Sequence, residues 1–311
     1  TNNIIKTIES NEKIAVNTSQ HQENNNSAKN NDNYITNQNG PLTKEDLFEA
    51  LDNLSSNDQK VKLNTIIVIH EKICGKYDQN REILIPNVDK IISTFKNVSH
   101  HLFFVKDLKT IPIKFAKYLA IVLCKLSSNK ELISNLSYEV LLGLSRELLG
   151  YLLINGLDKI GDNQEGNIIF KSINSTMLRI LENCDTTSVI CALLELIREF
   201  HNKENKHLVN LAMKCLLKTT QHLSEKINNI KIDKILLQIH LLLLSLQKNN
   251  SDIAEKTSNN TVIINNLKII VGEFAKLTNE KILEEYSKSV KNHQLNDKYL
   301  LRWIKDALSK K

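Results

Sequence analysis

LVNLAMKCLL, residues Leu208–Leu217, is the stretch whose reading decides how this chain folds. Leu208, Leu211, Ala212, Cys215 and Leu216 recur at i, i+3, i+4, i+7 and i+8, a period that gathers all five on one face of an α-helix and on no single face of a strand. Asn210 and Lys214 then fall on the opposite, wetted side. A helix of this kind buries one stripe and needs a neighbour to cover it. Upstream, the same period returns in Thr187–Phe200, Asn163–Asn183, Leu132–Ile154, Ile113–Leu126 and Ile83–Val98. It returns again in the run Val61, Leu63, Ile66, Ile67, Ile69 and Ile73, and in Leu47, Phe48, Leu51 and Leu54. Downstream it recurs in Ile232–Leu246, Thr261–Leu277 and Asp297–Leu308, with Lys206–Leu223 as the helix that holds the opening stretch.

Side chains able to satisfy the orphan N–H groups of a helix start stand where these periods begin. Thr43 with Asp46 forms a candidate capping box, and Asp162 with Glu165, Asp185, Ser224 and Asp297 are further candidate caps. With 8 Gly and 3 Pro in 311 residues, the chain is poor in the residues that a fold of many tight turns requires. About eleven helices at roughly two per 40–45 residues fit an all-α solenoid of the HEAT or armadillo type, in which each helix pair buries its apolar faces against the next. The run Ile235–Leu246, nearly all apolar, reads as a helix covered on both sides. It is interrupted by Gln238, His240 and Ser245 and is shorter than the ~20 residues a bilayer span needs, so no membrane segment is expected.

Residues 1–40 differ in kind. They are crowded with Asn, Gln, Ser and Lys and hold too little apolar surface to offset the entropy of ordering, which reads as a disordered Asn-rich linker ahead of a folded domain over 41–311. A chain that opens on Thr1, without the basic, apolar and small-residue order of a secretory signal, is expected to be a piece of a longer polypeptide. The formal charge of +6 is a net +7 beyond residue 40, because three Lys in the first forty residues face four acids. That excess favours an acidic partner and is also ordinary solubility charge.

The motifs of chemistry are missing. There is no GxxxxGK[ST], GxGxxG, HExxH or GxSxG, and the glycines are scattered, so neither a phosphate cradle nor a nucleophile elbow can be assembled locally. His100–His101 is the one adjacent histidine pair, and it stands in an expected inter-helix turn without Cys or acid at ligand spacing. Five cysteines form no CxxC and sit among aliphatic residues, as buried free thiols do. Glu195 and Glu199 flank Arg198 at helical spacing, which reads as a solvated face. Trp303 falls on the stripe Tyr299, Leu300, Trp303, Ile304 and Ala307 and reads as core or end packing. No enzyme, cofactor or metal is expected.

Two stretches, ILENCDTTSVICALLELIREF (Ile180–Phe200) and LVNLAMKCLLKTTQHLSEKINNIKIDKILLQIHLLL (Leu208–Leu243), resemble the last helical-repeat domain of the TOG-family microtubule polymerases. The likeness continues through TVIINNLKIIVGEFAKLTNEKILEEY (Thr261–Tyr286) and, more faintly, DLFEALDNLSSNDQKVKLNTIIVIHEKI (Asp46–Ile73), so that it covers most of 43–308. The resemblance implies a TOG-like HEAT paddle with a role in microtubule dynamics at plus ends, centrosomes and the spindle, in the cytoplasm and cytoskeleton. It implies tubulin and coiled-coil adaptors of the TACC type as partners. Family domains grip tubulin with the turns inside each repeat, the first of which carries a Trp. Here that turn is Leu54–Lys60, and it has none.

The residues themselves offer one surface. Each turn read as lying within a repeat holds a lysine: Lys60, Lys109, Lys159, Lys203 or Lys206, and Lys248. Aligned on one edge, they would form a basic rim that steers an acidic partner. Two readings follow: an interaction domain of a microtubule-associated protein, and a helical-repeat RNA-binding or general adaptor module. The low aromatic content, 5%, and the absence of rings interleaved with Lys and Arg favour the first, so nucleic acid is not the expected partner.

Overall fold

A computed structural model of the chain describes residues 42–74, 76–105, 107–161, 164–202, 205–248, 258–293 and 298–309. The described residues hold thirteen helices of eight residues or more and no strand. They are α1 (Lys44–Leu54), α2 (Gln59–Ile69), α3 (Tyr77–Leu84), α4 (Val88–His100), α5 (Ile113–Ser128), α6 (Tyr138–Tyr151), α7 (Glu165–Asn183), α8 (Thr186–Phe200), α9 (Lys206–Gln221), α10 (Ile232–Lys248), α11 (Ser258–Thr278), α12 (Lys281–His293) and α13 (Lys298–Leu308). Residues Thr43–Lys311 form one compact unit.

Apart from α3, which falls between α2 and α4 in the chain, the helices sort into two layers. In the first, α1, α4, α6, α8, α10 and α12 pack in that order, each on the next; in the second, α2, α5, α7, α9, α11 and α13 do the same. Chain order alternates between the layers, which makes six antiparallel pairs, the HEAT-like arrangement expected from the helical period. Polar contacts fix the direction of neighbours. Lys117 and Glu165, both near helix starts, meet at 3.2 Å, while Asn183 Nδ2 donates to the Ser127 carbonyl at the helix ends, so α5 and α7 run parallel. In the first layer Asp89 accepts from the Ser137 N–H at one end and Glu147 meets His100 at the other, so α4 and α6 run parallel as well.

Core and caps explain why these residues form these elements. Ten residues of α8 are buried, among them Ile190, Leu194, Leu196 and Ile197 with no exposure at all, because α6, α9 and α10 pack around it. Each such aliphatic side chain contributes about 1.5–3 kcal/mol of transfer free energy. The Thr43 box is made: Thr43 Oγ1 accepts from the Asp46 N–H at 3.0 Å and Asp46 Oδ2 accepts from the Thr43 N–H at 3.1 Å. These bonds to Thr43 hold the Asp46 carboxyl below its ordinary range. Asp185 accepts from both the Ser188 N–H and the Ser188 hydroxyl at 2.8 Å.

Several expectations are corrected. Ile83–Val98 is not one helix: Pro86 cannot donate an N–H, and α3 gives way to a 3-10 turn at Ile85–Asn87 before α4 begins. Leu132–Ile154 divides into a single turn, Lys130–Ile133, and α6, with a break over 134–137 where Asn135 Nδ2 turns back to the Glu131 carbonyl. Ser224 caps nothing, because it lies inside the short turn Leu223–Lys226. Asp162 and Asp297 lie outside the described residues, and α7 opens instead from Gln164 at φ +65°. Helices α3 and α12 were not expected at all; α12 buries only Ile282, Tyr286 and Ser289 among many charges, too thin an apolar stripe to read. Nor is α10 covered all round: Ile235, Leu236, Ile239 and Leu242 are fully buried, but Leu244 is 38% exposed and Leu241 half-buried, which leaves one strip open.

Candidate functional site: the turn edge

Each turn inside a repeat joins the end of a first-layer helix to the start of a second-layer helix, and because the α4/α6 and α5/α7 pairs run parallel, the turns after α4 and α6 fall on the same edge. The first turn, 55–58, ends on Asp58, whose Oδ1 accepts from the Lys60 N–H at 2.7 Å and the Val61 N–H at 3.3 Å and so starts α2. The second follows α4 as a wide helical turn, His101–Val105, and then a 3-10 turn, Leu108–Thr110, where Asp107 Oδ1 accepts from the Lys109 N–H at 3.0 Å. The third bends at Gly156, φ +83°, into the 3-10 turn Leu157–Lys159, and bends again at Gly161, φ +71°. Positive φ of this size is open to glycine at no steric cost. The fourth, after α8, is closed by His201 Nδ1, 2.7 Å from the Arg198 carbonyl.

Of the lysines expected on this edge, Lys60, Lys109, Lys159 and Lys206 are exposed and stand in or just after four successive turns. Lys203 and the side chain of Lys248, the last residue of α10, lie outside the described residues. Each of the first three lysines shares its turn with an aspartate, Asp58, Asp107 or Asp158, two of which cap the element that carries the lysine. The edge therefore alternates in sign at short range.

Sequence reasoning missed the apolar part of this edge. Phe104 is 46% and Val105 62% exposed, and the Phe104 ring lies 5.0 Å from Tyr151 and 5.4 Å from His100. Gly150 makes room for it, since a Cβ there would stand 2.7 Å from Phe104 Cζ. The available signal was the apolar continuation HLFFV past the end of α4. His100 itself closes α4 and meets Glu147 at 2.9 Å, so the histidine pair is not a loose turn.

The carboxylates of α8 are also tied between repeats. Glu195 accepts from Tyr138 Oη at 2.6 Å and lies 3.6 Å from Arg198; Glu199 accepts from Arg146 Nη2 at 2.5 Å. Glu195, Arg198 and Glu199, with Leu241, Leu244 and Ser245 of α10, line an open groove of 420 Å³. Paired and partly solvated, they serve as inter-repeat ties, a use the expected solvated face did not include. Burial pushes the thiols of Cys184, Cys191 and Cys215 up to about 12, as inert core cysteines require. Among the described residues no three His, Cys, Asp or Glu converge on a metal-sized site, and no helix is long and apolar enough to cross a membrane.

Protein MOR1 of Arabidopsis thaliana is 29% identical over 226 residues, 67% of this chain. Protein mini spindles of Drosophila melanogaster is 28% identical over 153 residues, 47% of the chain. The chain is similar to these two proteins, in keeping with its resemblance to the TOG family. Protein MOR1 of Oryza sativa subsp. japonica adds 26% identity over 217 residues, 65% of the chain. The chain spans only 11% of Arabidopsis MOR1 and 7% of mini spindles, so the TOG-family likeness concerns one segment of much longer proteins. No family model matches the chain, and no solved structure matches it.

Proposed function

We propose that this chain is a non-catalytic interaction domain of a microtubule-associated protein of the TOG family. The observation that carries this reading is the relationship to MOR1 and mini spindles across up to two thirds of the chain, over helices that stack as HEAT-like pairs. The edge of intra-repeat turns is the contact surface, with Lys60, Lys109, Lys159 and Lys206 together with Lys203 and Lys248. Its charges set encounter rate and salt dependence more than affinity, because they are solvated. Phe104 and Val105 supply the apolar area that charge lacks. The partners are coiled-coil adaptors of the TACC type, with tubulin as a weaker direct contact, since the first turn offers no Trp. On this reading the protein acts on the cytoskeleton, at spindle poles, centrosomes or plus ends. Co-sedimentation of the chain with microtubules, alone and together with a TACC-type coiled coil, tests the reading. Capture by either at low salt, weakened by Phe104→Ala, is the expected result; capture by neither would remove it.

A further inference from the structure

Charge separates between the two layers. The six second-layer helices contain fifteen Lys and Arg against four Asp and Glu, whereas the six first-layer helices contain ten against twelve. Each of the four second-layer acids is already matched within that layer: Glu165 by Lys117, Glu182 by Arg179, Glu273 by Lys276 and Asp306 by Arg302. Several of the other bases are exposed or half-exposed. Along α9 the residues not buried include His207, Asn210, Lys214, Lys218 and Gln221, while α5 turns out Lys114 and Lys125 and α7 half-exposes Lys171. One broad face is thus basic and the opposite face near neutral, a contrast that no net charge of the whole chain reveals.

We propose that this second-layer face is a docking surface for an acidic, unfolded polypeptide segment, Glu-rich and carrying spaced aliphatic residues. Charge complementarity selects an anion. The apolar residues on the same face select its kind: Ile168 is 40%, Val262 47% and Ile269 53% exposed, interleaved with the lysines of α7 and α11. Spaced aliphatic side chains meet these as they do not meet a phosphate backbone. A nucleic acid would instead call for arginine forks and a row of stacking rings. Both arginines of the layer, Arg179 and Arg302, are engaged with acids on their own helices, and the bases that remain are lysines, point charges suited to carboxylates on a mobile chain.

Lys60 and Lys206 belong both to second-layer helices and to the turn edge, so the test uses lysines in the body of the layer. The full chain is titrated against a fluorescein-labelled peptide of Glu with a Leu at every fourth position, read by anisotropy. Raising salt from about 50 to about 300 mM shortens the screening length from about 14 to about 6 Å, and affinity falls at least ~10-fold. The variant K125E/K171E/K214E, one reversal on each of three adjacent second-layer helices away from the turns, loses at least ~10-fold at low salt. The variant K96E/K234E/K291E, with the same net charge change on the first layer, stays within about twofold of the parent. If a variant fails to fold by circular dichroism, the Lys→Gln versions make the same comparison at half the charge change. Equal losses in both triples, no peptide binding at low salt, or tighter binding of an oligouridylate of matched charge would overturn the proposal. Loss of microtubule capture alone bears on the turn edge and leaves this surface standing.

Discussion

Gly166 near the start of α7 tests whether tertiary packing overrides helix propensity. Alanine is the better helix former by about 1 kcal/mol, so local reasoning expects Gly166→Ala to stabilise. The structure reverses the sign. A Cβ at this position would stand 2.7 Å from the Ile160 nitrogen, 2.7 Å from the Ile160 carbonyl oxygen and 2.8 Å from the Leu157 carbonyl oxygen. All three are backbone atoms, and none can rotate aside. The segment that carries them is pinned, since Leu157 is fully buried and the Gly166 N–H donates to the Ile160 carbonyl at 3.0 Å. Relief requires the 157–160 segment to lift by the better part of an ångström, which loosens Leu157 and stretches that bond. Overpacking of this kind costs about 1–3 kcal/mol, and the strained hydrogen bond adds about 1. Net destabilisation of about 1–3 kcal/mol remains after the propensity gain. Gly272→Ala is the matched control, because that glycine sits within α11 with nothing inside 4 Å of the added Cβ, and it is expected to stabilise by about 0.5–1 kcal/mol. Urea midpoints at unchanged m-value read both. A Gly166→Ala protein as stable as the parent would refute the reasoning.

Thr43→Ala removes one half of the capping box and costs about 1 kcal/mol at neutral pH, seen as a lower urea midpoint. Because Asp46 has a depressed folded pKa, its share of stability is present above the unfolded value of 3.8 and is lost as pH falls through the lower folded value. The gap between the parent and Thr43→Ala curves should therefore narrow in strong acid without closing, because the Thr43 hydroxyl accepts from the Asp46 N–H at any pH. The Arg146–Glu199 tie, with both side chains more than a third exposed, should give a coupling of about 0.5–1 kcal/mol in a double-mutant cycle and shrink in high salt. Tyr138→Phe, by taking a hydroxyl from Glu195, is expected to lower stability by about 1 kcal/mol without altering the circular dichroism spectrum. In the folded protein Cys184 and Cys191 should resist alkylation at pH 8.5 and react fully once urea exposes them.

How much of the fold and site was legible varied with the physics involved. Helices with a broad apolar stripe, such as α5, α8 and α9, were readable within two residues, because the period depends only on side-chain identity along one segment. Breaks at Pro86 and near Asn135 were blurred, since the apolar period runs on across them and only the backbone bonding changes. Helix α12 was invisible because its buried stripe is three residues wide, and its stability comes from α10 and α13 beside it. The lysine-bearing turns could be named in advance, but the aspartates that cap beside them and the exposed Phe104 depend on how each turn closes. A resemblance carried by the order of many segments was likewise readable without coordinates, because it needs no single diagnostic motif.

By itself the amino-acid order determined the helical class, the alternation of apolar stripes and caps, and the likeness to MOR1 and mini spindles, all of which are properties of short segments or of their succession. Only the tertiary structure decided which helices lie side by side. Alternate helices, separated in the chain by some forty residues, become neighbours in a layer, and that sorting turns a modest overall charge into one basic face and one neutral face. It also decides where a glycine cannot be replaced, because the atoms that forbid a Cβ at Gly166 belong to a turn set by packing. Local propensity acts along the chain; exclusion and charge act through space, and they take effect only after the layers have formed.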